Sequence, residues 1–145
     1  MRLLPLLLLV ACEPTTGIID TAPEELGFCE QIADGGSYQT EQGFGGNDAA
    51  GDLYIRVITT EDEDIRNPLY IAFKDYTLEN INTGGVQQTG QTSSDGIASL
   101  MGLGPGSWAF HTSFSRGSRI CVADITVPVQ VNATTTGCVV MDCPQ

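Results

Sequence analysis

The chain is poor in the side chains that most chemistry uses. Its 145 residues include one histidine and one tryptophan, and only 6 Lys+Arg against 18 Asp+Glu. So few cations exclude non-specific nucleic-acid binding, which needs Lys and Arg to displace counterions from phosphates. Aromatic residues make up 7%, too few for a platform that stacks single-stranded bases. No apolar run approaches the ~20 residues that a bilayer-spanning helix requires. No G-x-S-x-G elbow exists to present a nucleophilic serine, and Gly43-Phe44-Gly45-Gly46 lacks the following helix of a phosphate-binding loop. His111, the sole histidine, has a strand parity that turns it outward, away from Trp108 and Phe110. A zinc site would need several His or Cys ligands at short spacing. The expectation is a protein with neither enzymatic activity nor a cofactor.

What the chain does have begins at its start. Arg2 supplies a positive charge, and Leu3 to Ala11 is apolar throughout. In a helix these nine residues reach only about 14 Å, well short of a ~30 Å hydrocarbon core. A charged start, a short apolar stretch and a small residue form a secretory signal pattern. The tetrad Leu9-Val10-Ala11-Cys12 resembles the bacterial lipobox. That resemblance implies cleavage after Ala11, a lipid on the Cys12 thiol and acylation of the new amino terminus. Setting Cys12 aside leaves four of five cysteines, the even number that two disulfides in an exported chain would need. Glu13, rather than aspartate, after the cysteine favours the outer membrane over retention at the inner one.

Charge divides the mature chain. Glu13 to Asp64 holds 13 Asp+Glu and a single cation, Arg56, whereas Ile65 to Gln145 holds 5 acids and 4 cations. Residues 13–27 are rich in Pro, Thr and Glu without period and read as a linker. Asp34 to Asp52 is rich in glycine and reads as loop. Expected boundaries are therefore 1–11 for the signal peptide, 12–50 for an acidic tether and loop segment, and 51–145 for the folded domain.

From Gly51 onward the periodicity is that of strands. Leu53, Ile55 and Val57 alternate with polar neighbours, as do Leu69, Ile71 and Phe73, and Trp108, Phe110, Thr112 and Phe114. Val86 to Ser93 is a strand of Gln and Thr that suits a sheet edge. Residues 121–131 and 134–141 read as a closing hairpin around Asn132-Ala133. Short strands separated by Gly, Pro and Asn turns predict an all-β, seven-stranded antiparallel sandwich. Gly90 to Phe114 resembles the signature of carboxypeptidase regulatory-like domains, which have a transthyretin-like (prealbumin-like) fold. A Thr-rich strand leads into Asp95-Gly96, a short apolar strand, the turn Gly102 to Gly106 and an aromatic strand. Residues 67–73 and 125–141 resemble that family's second strand and closing hairpin. The resemblance implies fold and is nearly silent about function.

Cys138 and Cys143 are five positions apart, about 16 Å in an extended strand, beyond the reach of a bridge. Cys121 and Cys143 would oppose each other at the mouth of the closing hairpin, which leaves Cys29 to join Cys138. The acidic run Glu61, Asp62, Glu63, Asp64 and the turn residue Asp95 are the oxygen ligands a hard cation would use, but the run lacks the alternating spacing and glycine of a calcium loop. No metal is therefore expected.

Together these features predict a non-enzymatic, lipid-anchored cell-envelope protein, exported and more suited to the outer membrane. It would act as a binding or structural module, with Val86 to Ser93 open to strand addition. Its partners would be the membrane, through the lipidated amino terminus, and a basic protein of the envelope. The alternative is an envelope domain that binds calcium or a small ligand through Glu61 to Asp64 and Asp95.

Overall fold

A computed structural model describes residues 36–59 and 69–144. Among them there is no helix, and the strands lie in two sheets. The first contains β1 (Gly36–Gln42), β9 (Ala133–Val140), β2 (Gly51–Thr59), β6 (Ile97–Leu103) and the two-residue β3 (Leu69–Tyr70). The second runs in the order β5 (Val86–Gln91), β4 (Asp75–Asn80), β7 (Gly106–Arg116), β8 (Arg119–Val129). The expectation of seven strands thus gives way to eight, plus the two-residue β3.

β2 is the spine of the first sheet. It lies between β9 on one side and β6 and β3 on the other, and Leu53, Ile55 and Val57 are fully buried. They meet Leu78, Phe110 and Val127 of the second sheet in one apolar core. Burying side chains of this size contributes roughly 1.5–3 kcal/mol each. The alternating pattern of β7 holds: Trp108, Phe110 and Thr112 are at most 5% exposed. The Trp108 indole N–H donates to the Gly104 carbonyl at 2.9 Å.

Four sequence expectations are corrected. First, Gly36–Gln42 is not loop but the edge strand β1, paired with β9 over seven positions. Its sequence is polar on both faces because, at an edge, little of either face is buried. Second, the sheets are not wholly antiparallel, since β2 and β9 run parallel. Third, residues 121–141 do not form a hairpin. β8 belongs to the second sheet and β9 to the first, so the chain arches across the core at residues 130–132. Asn132, with φ at 51°, makes that turn, and its N–H donates to the carbonyls of Asn47 and Ala50. Fourth, Phe73 points outward, 66% exposed, although Ile71 is buried. A φ of 55° at Phe73 turns the chain from the first sheet to the second. That turn resets the alternation, and Tyr76, Leu78 and Asn80 become the inward residues.

Cys121 and Cys143 form a disulfide. They meet because the two arms of the arch converge again, with Val122 and Asp142 exchanging backbone hydrogen bonds at 2.8 Å. Cys138 is also disulfide-bonded. The residue expected to pair with it, Cys29, lies outside the described residues, as does Cys12.

The crossings between sheets at 71–74 and 92–96 run side by side, held by Thr92. Its hydroxyl donates to the Ile71 carbonyl at 2.8 Å and accepts from the Lys74 N–H at 3.0 Å. Its backbone N–H donates to the Lys74 carbonyl, and its carbonyl accepts from the Phe73 N–H. Thr92→Val keeps the shape but strands the Ile71 and Lys74 backbone groups. A loss of about 1–3 kcal/mol in urea unfolding is expected, and an unchanged midpoint would contradict this account. Replacing Cys121 and Cys143 by alanine should lower stability by about 3 kcal/mol, given a loop of 22 residues. Unfolding of that variant beside the oxidised and reduced parent checks the value.

Candidate functional site

The outer face of the second sheet forms an open concavity lined by hydrogen-bonding side chains. Strand pairing builds it. Thr89 of β5 lies opposite Thr77 of β4, Thr77 opposite His111 of β7, and His111 opposite Asp124 of β8, forming one row across four strands. Asp75 and Gln91 face each other in the next row, with Ser113 two residues beyond His111 on the same side of β7. Alternation puts these residues outward because Tyr76, Leu78, Phe110 and Thr112 take the inward positions. The hollow has a volume of about 480 Å³.

Two hydrogen bonds fix its polar side chains. Gln91 Nε2 donates to Asp75 Oδ1 at 2.7 Å. His111 Nδ1 and Asp124 Oδ1 are hydrogen-bonded at 2.5 Å, which leaves Nε2 as the ring nitrogen without this partner. Asp75 Oδ2, Gln91 Oε1 and His111 Nε2 keep their bonding capacity, beside the hydroxyls of Thr77, Thr89 and Ser113. No Lys or Arg lines the hollow. Among the described residues Ser113 makes no hydrogen bond to His111.

The sheet edge next to this hollow is β5, which among the described residues pairs with β4 alone. It carries no charged residue and no proline, whereas the opposite edge, β8, has both Arg119 and Pro128. Gln88, Thr89 and Gln91 are exposed on it. The polar edge strand expected over Val86 to Ser93 is present as far as Gln91, and Thr92, buried, already belongs to the crossing.

The other expected site residues lie elsewhere. Glu61, Asp62, Glu63 and Asp64 fall outside the described residues. Asp95 is exposed at the turn between β5 and β6, where Ser93 Oγ accepts its backbone N–H at 3.2 Å. Among the described residues no group of three His, Cys, Asp or Glu side chains is placed to hold a metal ion.

One carboxylate missed by sequence reading is Asp52, only 6% exposed. Its oxygens accept the N–H of Gly46 at 2.9 Å and of Gly102 at 3.0 Å. Asp52 therefore ties the loop after β1 to the end of β6 rather than facing a ligand. Gly45 must be glycine there: its φ is +73°, and a Cβ would stand 2.2 Å from Thr134 Oγ1. No family model matches the chain, and no curated protein does either.

Beneath the hollow, the Tyr76 ring stacks at 5.3 Å on Phe110, and burial pushes its phenol above the ordinary 10.0. The folded chain holds that proton more tightly than the unfolded chain does. The stabilisation is complete below the unfolded value and fades as pH rises through the folded one. Tyr76→Phe should remove this part of the alkaline loss of stability. Urea unfolding between about pH 9 and about pH 11 should show a shallower decline than in the parent; parallel declines would contradict the assignment.

Proposed function

We propose that this chain is a lipid-anchored module of the bacterial cell envelope that binds a partner rather than catalysing a reaction. Residues 1–11 act as its signal peptide and Cys12 as its lipid attachment point. The body is of the transthyretin-like kind seen in carboxypeptidase regulatory-like domains. In support, the Gly90 to Phe114 stretch runs through the end of β5, the Asp95-Gly96 turn, β6, the connection at Gly104-Pro105 and β7, in the order of that signature. The lipobox-like tetrad and the even remainder of cysteines support the anchor.

The observation that carries the binding reading is the uncharged strand β5, which among the described residues pairs with β4 alone and so presents its outer edge beside the hollow. Unpaired backbone groups on such an edge accept an added strand, and proteins that avoid this place charge or proline there. The acidic composition disfavours anionic surfaces and favours a basic partner.

Expression in a bacterial host with radiolabelled palmitate tests the anchor. The parent chain should take up label and sediment with membranes, and Cys12→Ser should lose both properties. An unlabelled, freely soluble parent would overturn the anchored reading.

A further inference from the structure

We infer that the outer face of the first sheet is a docking surface for the chain's own amino-terminal segment, residues 13–35, held there by a Cys29–Cys138 disulfide and by a carboxylate on Arg56. This docking stands apart from the binding role proposed above and shares with that reading the lipid on Cys12.

β2, β9 and β6 build the face. Tyr54, Arg56 and Ile58 point away from the core, because Leu53, Ile55 and Val57 take the inward positions. Register sets Cys138 of β9 and Ile97 of β6 beside Arg56, and Val140 beside Ile58. Ile58, Ile97 and Cys138 form a second apolar cluster, with Tyr54 and Val140 packed against it. The outward residues of a sheet stay wet unless another layer covers them. Here Ile58 and Cys138 are 0% exposed, Arg56 5% and Ile97 6%. The second sheet packs on the opposite side, and no described strand lies over this one. The loop after β1 bonds Asp52 and Thr134, at the other end of the face. The cover therefore comes from outside the described residues.

Three observations select the segment before Gly36. Cys138 is disulfide-bonded while Cys121 and Cys143 take each other, so its partner is Cys12 or Cys29. With the lipid on Cys12, Cys29 remains. The chain enters β1 at Gly36, opposite Val139 and so next to Cys138. The stretch from Cys29 to Gly36 spans up to about 24 Å, ample for the return. The third observation is charge. Arg56 is a buried cation whose Nε has no hydrogen-bond partner, and its described contact is the Tyr70 ring at 4.5 Å. A buried guanidinium is costly unless a carboxylate meets it. Residues 13–35 hold 6 Asp+Glu and no Lys or Arg. Glu30 adjoins Cys29, and Cys138 stands opposite Arg56, so Glu30 is the acid brought nearest to the guanidinium. Leu26, Phe28 and Ile32 supply apolar side chains to match the cluster. Docking shortens the free tether to the residues between Cys12 and Cys29.

Mass mapping of unreduced peptides from the full chain should recover Cys29 joined to Cys138. Urea unfolding of the full chain, bridges intact, tests the carboxylate. Glu30→Gln should raise the unfolding equilibrium constant about tenfold or more in the parent. In an Arg56→Met background the same change should stay within about twofold. Cys138 recovered as a thiol or joined to a second chain would overturn the inference, as would the same effect of Glu30→Gln, or none, in both backgrounds. Coupling of Arg56 to Glu61→Gln or Asp64→Asn instead would also overturn it, by assigning the cover to residues 60–68. A Cys12–Cys138 bond would remove this inference and the lipid assignment together. Failed palmitate labelling beside an intact Cys29–Cys138 bond would remove the lipid assignment and sustain the docking.

Discussion

Thr92 supplies the constraint on which the arrangement of this protein depends. Two sheets joined by short crossings must satisfy the backbone groups that leave one ladder before they enter the next. Here both crossings meet at one residue, 1% exposed, which engages Ile71, Phe73 and Lys74 through side chain and backbone. The turn at Phe73 is held in the left-handed region by the same contacts. Once it is held there, Tyr76 and Leu78 must face inward, and Asp75 and Thr77 must face out. The core and the candidate binding face are thus two consequences of one junction.

The second organising feature is the arch at residues 130–132. By carrying the chain from β8 to the opposite sheet, it delivers β9 parallel to β2 and puts a strand between β2 and β1. Asp52 secures the same end of the molecule from the other direction, accepting N–H groups from the loop after β1 and from β6. Short-range glycine turns and one buried carboxylate therefore fix a topology whose pairings are mostly distant in sequence.

Strands with one buried face could be read directly. β7 alternates because it presents a single face to the core, and the outward parity of His111 follows from the same rule. In β2 the alternation of Leu53, Ile55 and Val57 is legible although the strand is buried on its other face too, where Ile58 packs with Ile97 and Cys138. β1 could not be read, since Ser, Gln, Thr and Glu at an edge carry no alternation to detect. The outward turn of Phe73 could not be read, because a positive φ at a phenylalanine leaves no mark in the hydrophobic pattern. The bridge between Cys121 and Cys143 was anticipated on the premise of a hairpin. It forms because an arch, like a hairpin, returns two antiparallel arms to one another. The candidate face was legible only one strand at a time. Nothing local in the sequence says that Thr89, Thr77, His111 and Asp124 share a row, because that depends on register between strands far apart in the chain.

The position of β1 has a mechanical consequence. The chain enters the sheet at Gly36, opposite Val139, and seven paired positions follow to Gln42 opposite Ala133. Force applied at residue 36 along the strand axis, with the far end of the body held, loads all these pairs at once in shear instead of parting them one by one. An outermost strand with few buried contacts is thereby the element best oriented to carry tension into the body.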